Sequence, residues 1–488
     1  MTPAANTSED LGQSRWISFA RTKLAQYMAP SILLGWLLLT ALAVVVAPNA
    51  VMSLNFLAFG VALGVSTLLF PGTLLILVML SFLLSPENFL FVNKWVAEHF
   101  PTMEIQSLQK FILIGALIPP VVRVGIRPVM NYGIVSIVIL GMMTFVVCTP
   151  YAGLTPMQTL KSFVGLALPY VFFNINLRRS WIDPHLTVIA LFPLISLLLG
   201  GLAEIFQIRD VIGRPWLVVG HEFTGAMRLA GINIPAYLAF FCYISFFVCL
   251  YKAIAVKSRT FYVIAAANLL ILILTGTRTP SVCAIMLAGI SIFFSSGRDL
   301  RGSSKFVVTI LGLSFLAAIL AYYWPDLQAR MAENSSEAGN GINTSGRAGM
   351  WAYLLAIWDV NQVFGRGLGT GAIALLDAVN EPNFARAAHN EYIRLLVDGG
   401  VVGLIIYIVG LAALLIQEGR FMTRTQGVFI IALFLSFAVY SFTDNTISSP
   451  PSIILFYAIA LMMAKARYAR EDERALALQA KRAARNER

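Results

Sequence analysis

Gly399-Gly-Val-Val-Gly-Leu-Ile-Ile-Tyr-Ile-Val-Gly-Leu-Ala-Ala-Leu-Leu-Ile416 contains no charged residue. Coiled into a helix, it reaches about 27 Å at 1.5 Å per residue, close to the hydrocarbon thickness of a bilayer. It does not alternate as a barrel strand would. Such runs recur along the 488 residues, which are 58% hydrophobic and 12% charged, with mean hydropathy +0.78. Soluble domains carry about 25% charged residues. The fold class is therefore an all-α polytopic membrane protein. The four cysteines, Cys148, Cys242, Cys249 and Cys283, lie in or at the ends of spans, with spacing that suits neither zinc nor a disulfide framework; they read as small packing residues.

The sequence predicts about fourteen spans, roughly 31–48, 52–70, 72–86, 111–126, 133–149, 160–176, 184–203, 235–252, 260–276, 280–296, 306–323, 399–416, 427–443 and 451–466. Merging the pair around Pro71-Gly72, or dropping the short span near 111–126, leaves twelve or thirteen. Basic residues in short connections mark the cytoplasmic side. With the N-terminal segment 1–30 inside, the alternate connections carry Arg123/Arg127, Arg178/Arg179, Lys252/Lys257/Arg259, Arg298/Arg301/Lys305 and Arg420/Arg424, and the tail 467–488 is basic too. An even count puts them all on one side. The predicted order is segment 1–30, a helix bundle over 31–324, an external loop over 325–398, helices over 399–466 and the tail 467–488. The Ala-rich tail reads as a solvated or lipid-surface helix, which anionic lipid would attract.

The external loop concentrates chemistry. It holds Ser345-Gly-Arg-Ala-Gly-Met-Trp351, with Arg347, then Arg366 and Arg386, then Ala388-His-Asn-Glu-Tyr-Ile-Arg394, with His389, Asn390 and Arg394. Trp351, Leu354, Leu355 and Trp358 form one apolar helical stripe, suited to an interfacial helix or to one packed on the bundle. Phe364-Gly-Arg-Gly-Leu-Gly-Thr-Gly371 follows; no strand precedes it as a nucleotide fold requires, so it reads as a tight turn near the site. Asn390 opens a short helix that ends at Asp398-Gly399-Gly400, and His389 stands at its start. Histidine is the usual general base near neutral pH. Of the other histidines, His99 and His221 fall outside and His185 inside. Thr275-Gly-Thr-Arg-Thr-Pro280 is an external turn that holds Arg278 at the membrane edge, where ionisable side chains are functional candidates. The guanidinium fork suits phosphate oxygens; a snorkelling anchor is the plainer role.

Together, Arg278 in its Thr-Gly-Thr-Arg turn, Arg347 before a Trp-bearing helix, the Phe-Gly-x-Gly-x-Gly stretch, and His389-Asn-Glu-Tyr followed by Asp398-Gly-Gly resemble the O-antigen ligase and polysaccharide polymerase (Wzy-type) superfamily. Arg228-Leu-Ala-Gly231 before Ile234-Pro235 is similar to an upstream element. The resemblance covers roughly residues 225–465. The chain departs from it in having Gln362-Val363 where proline often precedes the glycines, and Pro280 directly after the arginine turn. The resemblance implies a GT-C-like bacterial inner-membrane glycosyltransferase, inverting, with no metal or other cofactor. Its implied donor is a glycan on undecaprenyl pyrophosphate, and its acceptor a glycan or lipid-linked molecule. His389 would activate the acceptor hydroxyl, and Arg278 and Arg347 would bind the leaving pyrophosphate. Arg228, Arg366, Arg386, Asn390 and Arg394 are the expected substrate-binding residues. Partners implied are membrane lipid and chain-length or export proteins, with no nucleic acid.

A polymerase and a ligase share this chemistry and differ in acceptor. A transporter would carry charges along the midplane of several helices and often shows repeated halves, whereas here the spans are nearly free of charge. The topology is testable in intact cells. A cysteine placed at Ser336 should react with an impermeant thiol reagent and one at Ser303 should not; the reverse pattern overturns the placement of the loop.

Overall fold

The computed structural model describes residues 124–207, 214–220, 227–255, 258–294, 347–378, 388–447, 449 and 451–486, with ten isolated positions before 124. The chain divides into two compact units, Met1–Gly125 and Ile126–Arg488. In the first, the ten isolated positions, among them Leu75, Met79, Leu113 and Leu117, are helical. The expected spans 31–48, 52–70 and 306–323 lie outside the described residues.

Among its described residues, the second unit is built of helices with one small hairpin. In order these are α1 (Tyr132–Val146), α2 (Pro156–Val171), α3 (Arg179–Ile205), β1 (Val218–Gly220), β2 (Met227–Leu229), α4 (Pro235–Leu250), α5 (Thr260–Leu274), α6 (Arg278–Phe294), α7 (Arg347–Asp359), α8 (Thr370–Asp377), α9 (Glu391–Gly419), α10 (Arg424–Ser441) and α11 (Pro451–Asn486). Starts follow local chemistry. Asn131 caps α1 by accepting from the Ile134 N–H, Thr155 and Gln158 form a capping box at α2, and Thr423 and Gln426 form another at α10. Pro235 sits in the first turn of α4, where its missing N–H costs nothing. Among the described residues, five helices are long and apolar enough to cross a membrane: Arg179–Ile205, Pro235–Ile254, Glu391–Gly419, Arg424–Ser441 and Pro451–Arg485. The protein is an all-α polytopic membrane protein.

α4 lies at the centre. It is apolar on every side, and Leu238 through Leu250 are all buried against α3, α5, α6 and α11. α1 packs along α9, where Leu140 lies over Gly399 and Gly403. At the far end of α9, Arg127 makes two bonds to Glu418, at 3.1 and 3.0 Å, and Arg467 approaches the same carboxylate at 3.6 Å. Lys465 pairs with Asp183 at 2.7 Å, and Arg179 with Asp472 at 2.7 Å. These ion pairs gather connections that the sequence assigns to one side.

Two boundaries differ from the sequence expectation. α11 runs unbroken through residue 466, so the last span and the basic tail are one helix, buried up to Arg467 and exposed from Ala469 onward. The short helix from Asn390 and the span 399–416 also form one element, broken only at Gly400, whose φ of 65° and ψ of −167° are not helical.

The break is filled by the glycine-rich stretch. In an unbroken helix, Val401 N–H would bond Val397 O and Val402 N–H would bond Asp398 O. Instead Val397 O accepts from Arg366 N at 2.8 Å and Asp398 O from Gly367 N at 3.0 Å, while Val401 N donates to Gln362 O at 3.0 Å and Val402 N to Val363 O at 3.1 Å. The loop thus inserts between the two halves of the helix and satisfies all four groups. Left unpaired, each would cost about 1–3 kcal/mol. The stretch's other edge accepts from Thr149 N and Tyr151 N. Side chains are excluded from the joint: a Cβ at Gly365 would lie 2.5 Å from Gly400 N, and one at Gly400 would lie 2.3 Å from Val363 O.

Gly400→Ala should therefore lower the thermal midpoint and membrane yield sharply. The backbone region at φ 65° and ψ −167°, open essentially to glycine alone, costs roughly 1–3 kcal/mol for a residue with a Cβ, and the clash with Val363 O adds to it. Gly427→Ala, in α10 with open space around its new Cβ, is the control and should be neutral or stabilising by up to about 1 kcal/mol. Equal midpoints for the two variants would refute the account of the joint.

Candidate active site

The connection between α10 and α11, residues 442–450, is where distant segments meet. Arg347, the first residue of α7, donates from Nη1 to Thr443 O at 2.6 Å. One turn on, the Trp351 indole N–H donates to Ala388 O at 2.8 Å, fixing the residue before His389 to α7. Trp351 and Tyr392 flank the exposed ring of Phe442, with centroids 6.2 and 6.4 Å away. α7 packs through Met350, Leu354 and Ile357, which join Ala374, Leu375, Ala388 and Val397 in one core. Trp351 and Trp358 lie partly buried beside that core and Leu355 is exposed. The buried stripe is thus one residue out of phase with the expected Trp351–Leu354–Leu355–Trp358 face, because α7 faces α8 and α9.

His389 has a φ of 47°, in the left-handed region that few non-glycine residues adopt. Its Nδ1 lies 3.1 Å from Asp444 Oδ1, and the two side chains are 29% and 32% exposed. Burial alone would raise the Asp444 carboxyl. The hydrogen bond from His389, the His389 charge, the Asn445 N–H and the Arg347 charge outweigh it and hold the carboxyl below the ordinary carboxylate range. Arg347, His389 and Asp444 are thus assembled at one end of the bundle. Sequence reading missed Asp444. Its signal was there, since it is the single acidic residue between Glu418 and Glu471, in the connection between the last two spans.

Arg278 is exposed and opens α6. α6 packs along α10, and Cys283 and Asp444 both lie near Tyr440, close to the end of α10. The start of α6 therefore lies at the same end as Asp444. Arg228, on β2, donates from Nε to Thr275 O at 2.7 Å and so holds the turn that carries Arg278. The side chain of Thr275 also meets that of Thr277, at 2.6 Å.

Three further expected residues are engaged within the fold. Arg366 donates to Thr149 O at 2.8 Å and Pro150 O at 3.3 Å, and its guanidinium lies 5.8 Å from the Tyr151 ring centroid. Asn390 is buried and caps α9, accepting from Tyr392 N and Ile393 N. Arg394 is buried between two carboxylates, 2.6 Å from Glu391 and 3.6 Å from Asp398. Arg386, His99 and His221 lie outside the described residues. Among the described residues, no group of three or more His, Cys, Asp or Glu could hold a metal ion.

The segment that carries most of this geometry, residues 261–408, matches a family model described as O-antigen ligase. Over that segment the chain is similar to the O-antigen ligase family. The segment spans α5 through the first half of α9 and includes Arg278, Arg347 and His389, whereas Arg228 and Asp444 fall outside it. No curated protein matches the chain. The family supports glycan processing of the ligase and polymerase type, on lipid-linked substrates.

The Asp444 carboxyl, held below its ordinary range by its partners, contributes stability that is present above the unfolded value, about 3.9, and lost as pH falls through the folded value. Asp444→Asn should lower the thermal midpoint at neutral pH, and the gap from wild type should close below about pH 4. A gap that stays constant across that window would mean the carboxylate is not held ionised by these partners.

Proposed function

We propose that the protein is an inner-membrane glycosyltransferase that polymerises glycan carried on undecaprenyl pyrophosphate, acting at the periplasmic face. The observation that carries this reading is the His389 Nδ1 to Asp444 Oδ1 contact at 3.1 Å, beside Arg347. A carboxylate on Nδ1 fixes the tautomer with hydrogen on that nitrogen and leaves Nε2 as the proton acceptor. His389 takes the proton of an acceptor hydroxyl through Nε2. The hydroxyl oxygen attacks the anomeric carbon, the bond from that carbon to the diphosphate oxygen breaks, and configuration inverts. Asp444 stabilises the imidazolium that forms. The departing diphosphate gains negative charge, which fixed cations stabilise without reorganisation. Arg278 and Arg347 supply them, with Arg228 holding the Arg278 turn in place. Within this reading both termini are cytoplasmic and no metal takes part.

Transfer of finished glycan to lipid A core is the second reading, favoured by the family's description as O-antigen ligase. Reconstituted enzyme given only a lipid-linked repeat unit separates the two. A ladder of longer carrier-linked products supports polymerisation, whereas product that forms only when core lipid is added supports the ligase.

His389→Ala should reduce transfer about 10²–10⁴-fold, the usual range for loss of a general base, with normal membrane yield. Asp444→Asn should move in the same direction. Arg278→Lys should lose most activity although charge is kept, because a point ammonium cannot reproduce the two-pronged grip on phosphate oxygens. Wild-type rates for His389→Ala would remove the base from the scheme, and normal product from Arg278→Lys would make Arg278 an anchor.

A further inference from the structure

Residues 389–391 and 444–447 are tied by more than the His389–Asp444 contact. His389 N donates to Asn445 Oδ1 at 2.8 Å. Two residues along, Ile447 N donates to Glu391 Oε1 at 2.9 Å. The other oxygen of Glu391 accepts from Arg394 Nε at 2.6 Å, and Glu391 is fully buried. Asp444 Oδ1 in turn accepts from Asn445 N at 2.8 Å, so the carboxylate that meets the imidazole is oriented by its own neighbour. The two segments thus face each other across three rungs, with the ring contact as one of them. A buried glutamate paired with arginine needs an explanation in a connection this short, and so does a histidine at φ 47°.

We infer that Asn445 and Glu391 are positioning residues for His389: they lock residues 389–391 against residues 444–447, and the imidazole meets Asp444 only while that lock is closed. The inference rests on the reading of His389 as the general base. The left-handed backbone at His389 is disfavoured for a residue with a Cβ, so it persists only where its surroundings impose it. The Asn445 amide oxygen imposes it directly, by holding the His389 N–H. Glu391 holds the far end of the connection, and Arg394 keeps the Glu391 carboxylate in place. Without either rung, His389 relaxes toward an ordinary φ and its side chain swings off the line to Asp444. A displacement of about 1 Å is enough to cost about 10²-fold in rate.

The test uses the full-length enzyme in lipid nanodiscs with a lipid-linked glycan donor and its acceptor, read for kcat, KM and the ¹⁵N spectrum of labelled histidine. The His389 signal is identified by its loss in His389→Ala. Asn445→Ala is expected to lower kcat about 10- to 100-fold with KM unchanged, and to turn one Nδ1–H tautomer into a mixture. Asn445→Asp, which keeps an acceptor oxygen, recovers most of the lost rate, and Glu391→Gln stays closer to wild type than Glu391→Ala. If Glu391→Ala fails to fold, the Asn445 pair decides the matter alone. Wild-type kcat in Asn445→Ala, or a fall in kcat with the tautomer unchanged, overturns the inference. His389→Ala separates the two levels. If it is active, the base assignment fails and the inference with it; if it is inactive while Asn445→Ala is normal, only the inference fails.

Discussion

The membrane core does not tolerate unpaired main-chain groups, and α9 is interrupted beside its membrane span. The segments that meet at that interruption depend on how it is satisfied. The glycine-rich stretch slips between the carbonyls of Val397 and Asp398 and the amides of Val401 and Val402, restoring the bonds the helix lost. The cost of a broken helix is thereby converted into an attachment for the segment between α7 and α9. Because the stretch also binds residues 149 and 151, the connection between α1 and α2 is fixed to the same joint. α7 and α8, on either side of the stretch, inherit their placement from it. The part of α9 before the break follows directly on His389 and its cap Asn390.

Charge is spent in two ways around this frame. At one end of the bundle, arginine and lysine sit on Glu418, Asp183 and Asp472 and bind helix ends together. At the other, Arg366 and Arg394 are consumed by carbonyls and buried carboxylates, while Arg278 is exposed and Arg347 is half-buried next to the histidine. Cations clustered in the sequence thus take different tasks once folded, some bonded to carbonyls and buried carboxylates and some set at or near the surface. Arginine's five donors make it good at both tasks, so residue type alone cannot sort them.

Much of the architecture was legible because membrane spans announce themselves locally. Long apolar runs gave α3, α4, α5 and α10 close to their observed positions, and Asn390 was recognisable as the start of a helix. The glycine run was correctly read as a turn, although its role as a splint for the break was not, since that depends on pairing with residues 30 or more positions away. Asp444 was missed for the same reason: 55 residues separate it from His389, and nothing in either segment names the other. The stripe of Trp351, Leu354, Leu355 and Trp358 was read as suiting an interfacial helix or one packed on the bundle; here the two tryptophans border a core that Met350, Leu354 and Ile357 fill. Helix continuity across residue 466 was hidden by a change of composition without any change of conformation.

The α9 joint also bears on how far such a chain can drift. Its four bonds use only main-chain atoms, so the side chains along it are constrained by packing and by their own contacts rather than by those bonds. Position 365 and position 400 are different, because there a side chain is excluded by backbone at 2.5 Å and 2.3 Å. Gly367 and Gly369 are held as well, by left-handed φ of 102° and 103°, and Gly399 by Leu140 2.7 Å from where its Cβ would stand, so a lineage that keeps the shape keeps these positions small. Such a protein is better recognised by the spacing of a few residues than by overall likeness.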